Sequence, residues 1–381
     1  MHTSSRLRSV TLLVFITAAC LAHAAGPAAD IDKTHLAPTP RTARSLDPTY
    51  SISVGLEGEI YPAFANYAAL QRPQERSWAT VTVKITNYSD SPLRNRLAVR
   101  VRGWSDEEIQ TAELAAGETR TYLFAPIFQP RLYNNREISA ATAQVSATDM
   151  AGRMVFAGTA PARIRSVDDM YWGTDFKYAR FIASWVTPHD PAVEQVLSRA
   201  KEFMTGRRLP GYEPWKNAQE QQLSTREQAR AIYRALQEKG VSYVKSSITF
   251  GSHAAWSERV RMPYESLQHV SANCIDGVVM YASLFENLGL DPAVVLVPGH
   301  AYVAVRLAEN TNNYLYIDTA LTGRASFEYA VQTAEQGMAR LAAKDVTRIL
   351  LPDARSAGVY PMPSPDTESG LKLESAATRT Q

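Results

Sequence analysis

From about residue 50 to 165 the apolar residues of this chain recur at every second position, and from about residue 166 onward they recur every three to four. A period of two fits a strand with one buried face, and a period near 3.6 fits a helix. The chain must therefore fold as a β-rich half followed by a half that contains helices. Val81, Val83 and Ile85 alternate with Thr80, Thr82, Lys84 and Thr86. Leu97, Val99 and Val101 alternate with Ala98, Arg100 and Arg102. Turn-forming residues recur at 87–92, 116–118 and 149–152. Short strands at this spacing predict an antiparallel β-sandwich over residues 47–165.

The expected sandwich is immunoglobulin-like in architecture, without the cysteine pair of antibody domains. An α+β domain is expected over residues 166–352. Asp190-Pro191 starts a helix there, with a capping Asp followed by Pro at the first helical position. Val193, Val196, Leu197 and Ala200 form its apolar stripe. Ser224 with Glu227 three residues on reads as the capping box of a second helix, which Gly240 stops. A short strand is expected at 241–243. The length of 381 residues agrees with two domains.

The chain ends read differently. Residues 1–25 have a basic start (Arg6, Arg8), an apolar run too short to span a bilayer, and Ala22-His23-Ala24 at the positions a signal peptidase reads. They are expected to be a cleaved secretion signal. Thr17-Ala18-Ala19-Cys20 is a poor lipobox, because a large aliphatic residue is missing at Thr17, so lipoprotein processing is the weaker reading. Residues 26–46 read as a flexible leader and 353–381 as a disordered tail. The formal net charge is +2, and Arg6 and Arg8 fall in the signal, so the mature chain is near neutral. That balance argues against nucleic acid as a partner, and no stretch is long enough for a transmembrane span. A large exported chain without a disulfide points to a bacterial periplasm, or to secretion.

The chemistry centres on Cys274. The chain has two cysteines, and Cys20 lies in the signal, so the mature protein keeps one thiol. An oxidising compartment pairs or damages free thiols, and one that is kept needs a reason. Residues 275–288 have helical periodicity, with Val278, Tyr281, Ala282 and Phe285 on one face, and end at Gly289. A thiol at that helix start sits where the dipole favours thiolate and where backbone N–H groups meet an oxyanion. Of seven histidines, only His300 opens a clear strand. A turn-forming cluster at 309–313 folds that strand onto residues 314–318, which brings Asp318 toward His300. Cys274 as nucleophile, His300 as base and Asp318 as its orienting acid form a triad. Gln268, Tyr243 and Trp256 are the candidates for a second oxyanion donor. Asp276 reads as a cap for first-turn N–H groups rather than a catalytic group. No Cys/His cluster has metal-ligand spacing, so no metal or organic cofactor is expected.

These motifs together resemble the transglutaminase-like family of papain-fold cysteine enzymes. The resemblance covers residues 224–319, about a quarter of the chain. Asn273-Cys274-Ile275-Asp276-Gly277 is similar to the family's nucleophile motif. Gly299-His300-Ala301-Tyr302-Val303 is similar to its histidine strand, and Tyr316-Ile317-Asp318-Thr319 to its acidic strand. Two departures stand out: the spacing from Cys274 to His300 is short for the family, and Ile275 stands where Trp or Phe is common. The resemblance implies an α+β papain-like fold and thiol-dependent acyl transfer; the expected partner is a protein or peptide substrate, with the cell envelope as one source. Peptidase, amidase and cross-linking activities all occur in the family. The competing expectation is a non-catalytic cell-envelope scaffold that binds through the sandwich.

The exported protein is expected to begin near Ala25 and to carry no lipid. Intact-mass spectrometry of the mature chain checks this, and a diacylglyceryl group on an N-terminal Cys20 would refute it.

Overall fold

A computed structural model describes residues 47–245, 249–252 and 255–364. The expected signal and leader, and the expected tail from 365 on, lie outside these residues.

The first half contains eight strands: β1 (Thr49–Val54), β2 (Glu59–Ile60), β3 (Val81–Thr86), β4 (Leu93–Val101), β5 (Glu108–Leu114), β6 (Thr119–Phe124), β7 (Ser139–Asp149) and β8 (Met154–Ile164). They form a three-stranded sheet in the order β1-β3-β6 and a five-stranded sheet in the order β2-β8-β7-β4-β5. The alternation sets the faces. Val81, Val83 and Ile85 are fully buried from one sheet, and Leu97, Val99 and Val101 from the other, all within one apolar core. Burial of each such side chain contributes about 1.5–3 kcal/mol.

This half is not purely strands. Helix α1 (Pro62–Leu70) interrupts it, with Pro62 opening the first turn. Pro62, Ala63, Phe64, Ala65, Asn66 and Ala68 are all buried, so the helix is apolar nearly all round. A helix of that kind has no amphipathic stripe for a period to reveal. Phe64 packs against Phe181 in a tilted pair at 4.2 Å, with Tyr67 and Trp78 beside them.

The second half is α+β. Its elements begin with β9 (Asp169–Gly173), α2 (Pro191–Ala200), α3 (Ala218–Lys239), β10 (Ser242–Tyr243), β11 (Thr249–Ser252) and β12 (Ala255–Arg259). They continue with α4 (Pro263–Gln268), β13 (Ser271–Ala272), α5 (Cys274–Asn287), β14 (Pro292–Val297), β15 (His300–Arg306), β16 (Tyr314–Ile317), α6 (Phe327–Ala339), β17 (Thr347–Leu350) and α7 (Leu351–Ser356). A four-stranded antiparallel sheet, β16-β15-β14-β17, carries α5 on one face. Strands β11, β12 and β9 form a separate three-stranded sheet. Among the described residues no helix is long and apolar enough to cross a membrane.

The local signals hold for α2, where Asp190 accepts from the Ala192 N–H at 2.8 Å and Val193, Val196, Leu197 and Ala200 are buried. Helix α3 starts earlier than expected. Asn217 and Glu220 form its capping box, and Ser224 lies inside the helix. The Asn217 box is as good a start as the Ser224 pair, and the buried Gln221 and Thr225 keep the first turns in the fold. Gly240 closes the helix at φ 88°.

The polar run at 166–169 is buried. Asp168 pairs with Arg136 and Arg259 at 2.8 Å each, and Asp169 with Arg165 at 2.9 Å. The first residues of the expected tail are also part of the fold. Residues 353–356 complete α7, Val359 and Met362 are buried, and the Met362 N–H bonds to the Ser184 carbonyl at 2.9 Å. Isolated apolar residues in a Pro/Ser-rich setting have no period, so their burial is a tertiary outcome.

Phe181→Ala removes the ring on which Phe64, Tyr67 and Trp78 converge. It is expected to cost about 3–5 kcal/mol in urea denaturation. A loss below about 1 kcal/mol would mean that this aromatic cluster carries little of the fold's stability.

Candidate active site

Three local structures place the candidate catalytic groups. The first is the start of α5. Asn273 caps the helix by accepting from the Asp276 N–H at 2.8 Å, and the Asp276 carboxylate accepts from the Asn273 N–H at 3.2 Å. The same carboxylate takes the Arg261 N–H at 2.8 Å. Cys274 is therefore the first helical residue, half-buried, and its N–H has no acceptor inside the helix. Asp276 is fully buried, and that burial raises its carboxyl to about 6 against the pull of the two backbone N–H groups. Its bonds are those of a cap, as the sequence suggests.

The second is the turn between β14 and β15. Val297 pairs with His300, so Pro298-Gly299 forms a two-residue hairpin loop. Gly299 has φ 72°, the left-handed position that a Pro-Gly turn gives to glycine. This fixes His300 as the first residue of β15.

The third is the end of β16. Val303 pairs with Ile317 and Ala304 with Tyr316, so Asp318 falls opposite Tyr302, two residues along from His300 on the same face. Asp318 Oδ1 meets His300 Nε2 at 3.0 Å and also accepts from the Ala320 N–H at 3.1 Å. Asp318 is buried, at 7% exposure.

The imidazole is thus held from both sides. Nε2 faces Asp318, and the ring's other hydrogen bond is to the Cys274 side chain. Burial alone lowers the imidazole's pKa. The hydrogen bonds to Asp318 and Cys274, and their negative charge, outweigh it and raise His300 to about 9. The Tyr302 ring meets the His300 ring edge-on at 4.8 Å. The structure therefore joins Cys274, His300 and Asp318 in the order expected from sequence.

Two further residues fix the distance between the helix and the acid. Thr319 donates from Oγ1 to the Cys274 carbonyl at 3.4 Å. A Cβ on Gly277 would lie 2.6 Å from that same Oγ1. Only glycine lets α5 approach the Asp318-Thr319 corner so closely. A glycine in the first turn of a helix, where it costs about 1 kcal/mol relative to Ala, is the sequence signal for such an approach.

The three oxyanion candidates separate. Tyr243 pairs with Ala272, two residues before the nucleophile. Burial raises its hydroxyl, and the negative charges at Cys274 and Asp318 raise it further. Trp256 packs against Trp172 in a tilted pair and against Phe176 edge-on, at 5.7 Å each. Gln268 is exposed at the end of α4 and lines a groove with Asp190, Lys239 and Ser364 that includes none of the triad. The six-residue separation from Cys274 left Gln268 within reach, but α4 packs against both α5 and α2, and Gln268 at its end lies in that groove. Among the described residues, no group of three or more His, Cys, Asp and Glu side chains is placed to hold a metal ion.

Compared with protein-family models and with curated proteins, the chain matches none.

The His300 proton follows with a definite sign. Its pKa in the folded chain lies above the unfolded value of about 6.5, so its contribution to stability is complete below that pH and is lost as pH rises through about 9. NMR titration of the imidazole should show a midpoint near 9, and Asp318→Asn should lower it. A midpoint at or below 6.5 would show that neither neighbour holds the proton.

Proposed function

We propose that this protein is an exported, thiol-dependent acyl-transfer enzyme acting on amide bonds. The observation that carries the reading is the unbroken run of side-chain hydrogen bonds from Asp318 through His300 to Cys274. In this mechanism His300, protonated below about 9, has already taken the Cys274 proton, and Cys274 Sγ attacks the amide carbonyl. The tetrahedral oxyanion is received by the free N–H at the start of α5, with the Tyr243 hydroxyl as the second donor. His300 then gives its proton to the leaving amine as the C–N bond breaks, leaving a thioester on Cys274. Water as acceptor completes a peptidase or amidase cycle, and a second amine completes a cross-link. Asp318 holds the ring in place and stabilises its charged form.

Several features support assigning the second half to the transglutaminase-like, papain-like fold. The nucleophile opens a helix that packs on an antiparallel sheet, and histidine and acid come from adjacent strands of that sheet. The two sheets of the first half, which share one core, support an immunoglobulin-like sandwich. The resemblance points to a protein or peptide substrate, and the expected signal to a periplasmic or secreted site of action.

The test uses the single thiol of the mature chain. Iodoacetamide at pH 7 should label Cys274 at least about tenfold faster than the same protein unfolded in urea. His300→Ala should remove that advantage, and Asp318→Asn should slow turnover by roughly 10²–10⁴. Cys274→Ala should abolish turnover and leave the circular dichroism spectrum unchanged. Equal labelling rates in the wild type and in His300→Ala would defeat the mechanism.

A further inference from the structure

A cleft of about 750 Å³ opens beside the first turn of α5, where Asp276 and Ser271 line it. Its walls carry four basic side chains, Arg136, Arg259, Arg261 and His269, and three carboxylates, Asp168, Glu265 and Asp276. The carboxylates are fully engaged. Asp168 gives one oxygen to Arg136 and the other to Arg259, at 2.8 Å each. Glu265 takes Arg136 at 2.7 Å with one oxygen and the Met262 N–H at 3.1 Å with the other. Both oxygens of Asp276 accept from the backbone.

The cations are not all matched. Arg136 spends Nη1 on Asp168 and Glu265, and Nη2 on the Tyr264 hydroxyl at 2.7 Å. Arg259 commits one nitrogen, to Asp168. Among the described residues Arg261 has no carboxylate within ion-pair distance, and its guanidinium makes only long bonds to the Ser271 carbonyl and hydroxyl, at 3.4 and 3.3 Å. Arg259 and Arg261 are separated by Val260, which is fully buried, so both turn the opposite way, into the cleft. Two guanidinium groups on one wall, with donors to spare, match the planar fork of a carboxylate.

We propose that this cleft binds a carboxylate of the acyl-transfer substrate, held by Arg261 and Arg259 with the Ser271 hydroxyl as a further donor. The inference rests on the acyl-transfer reading for the identity of its ligand. Ser271 stands three residues before Cys274, so the two Cα atoms lie within about 11 Å, the reach of about three residues of extended peptide. Cys274, His300 and Asp318 do not line the cleft, so a substrate anchored by its carboxylate here must span that distance to bring its amide bond to the thiol. The carboxylate is either an acidic side chain or a free peptide C-terminus, and the two share the same chemistry.

The test is calorimetric titration of the Cys274→Ala protein with three peptides: acetyl-Ala-Glu-Ala-amide, acetyl-Ala-Gln-Ala-amide and acetyl-Ala-Gln-Ala with a free C-terminus. At least one charged peptide should bind about tenfold more tightly than the neutral one, and which one does so identifies the source of the carboxylate. Arg261→Gln should abolish the preference. The variant keeps the backbone N–H that Asp276 requires, so the fold should survive. Arg261→Lys, which keeps the charge and loses the fork, should retain only part of the preference and covers the case of an unstable Gln variant. Equal binding of all three peptides, or a preference that persists in Arg261→Gln, would overturn the proposal. Because the titrated protein lacks the nucleophile, this result is independent of thiol reactivity. An inert Cys274 in the wild type would sink the enzyme reading and leave the binding measurement standing.

Discussion

The carboxylate of Asp276 is the point on which the site depends. It is fully buried and accepts from two backbone N–H groups, one at the helix cap and one at Arg261, fifteen residues earlier. A buried carboxylate without partners is costly, and this one is held in place by what it satisfies. It pins the start of α5 to the segment that follows β12, so the position of Cys274 is set by a bond two residues beyond it. Glu258 lies close enough that the negative charge of Asp276, after burial itself, helps raise it to about 7. The helix that presents the thiol therefore begins in an acidic, poorly solvated pocket whose charge the Arg261 backbone and side chain help to balance.

From that fixed point the rest of the site is a matter of approach. Helix α5 packs on the sheet that carries His300, and Gly277 lets it close on Thr319. Thr319 follows Asp318 directly, so the bond from its hydroxyl to the Cys274 carbonyl sets the acid and the nucleophile at one distance. Tyr302 holds the imidazole from the side, and its hydroxyl lies where a Cβ on Gly337 of α6 would clash, at 2.5 Å. Two glycines thus admit the two contacts that hold the triad. In both places a methyl group would have to displace a side chain in a close-packed interior.

Much of this is legible in the chain. Alternating residues assign the buried faces of β3 and β4 because the strand period leaves no other solution. Asp190-Pro191 and Gly240 mark helix ends because capping chemistry is local. Pro298-Gly299 and the 309–313 turn set the register of β14, β15 and β16, and the meeting of His300 with Asp318 follows from register alone. Where two local signals compete, local reasoning errs: Ser224 with Glu227 and Asn217 with Glu220 are both valid capping boxes, and the longer helix prevails because its added turns bury Gln221 and Thr225.

The sequence by itself determined the strand faces, the hairpin that joins histidine to acid, and the helix start that carries the thiol. Each depends on interactions between residues near in sequence, where period and turn chemistry act. Only the tertiary structure decided that Cys274 meets the imidazole, that Tyr243 pairs with Ala272 while Gln268 lines a separate groove, that Asp168 and Asp169 are buried as ion pairs, and that α1, Val359 and Met362 fill the core. Those outcomes depend on which surfaces exclude water together. That is a property of volumes and charges brought from distant parts of the chain, and no local pattern encodes it.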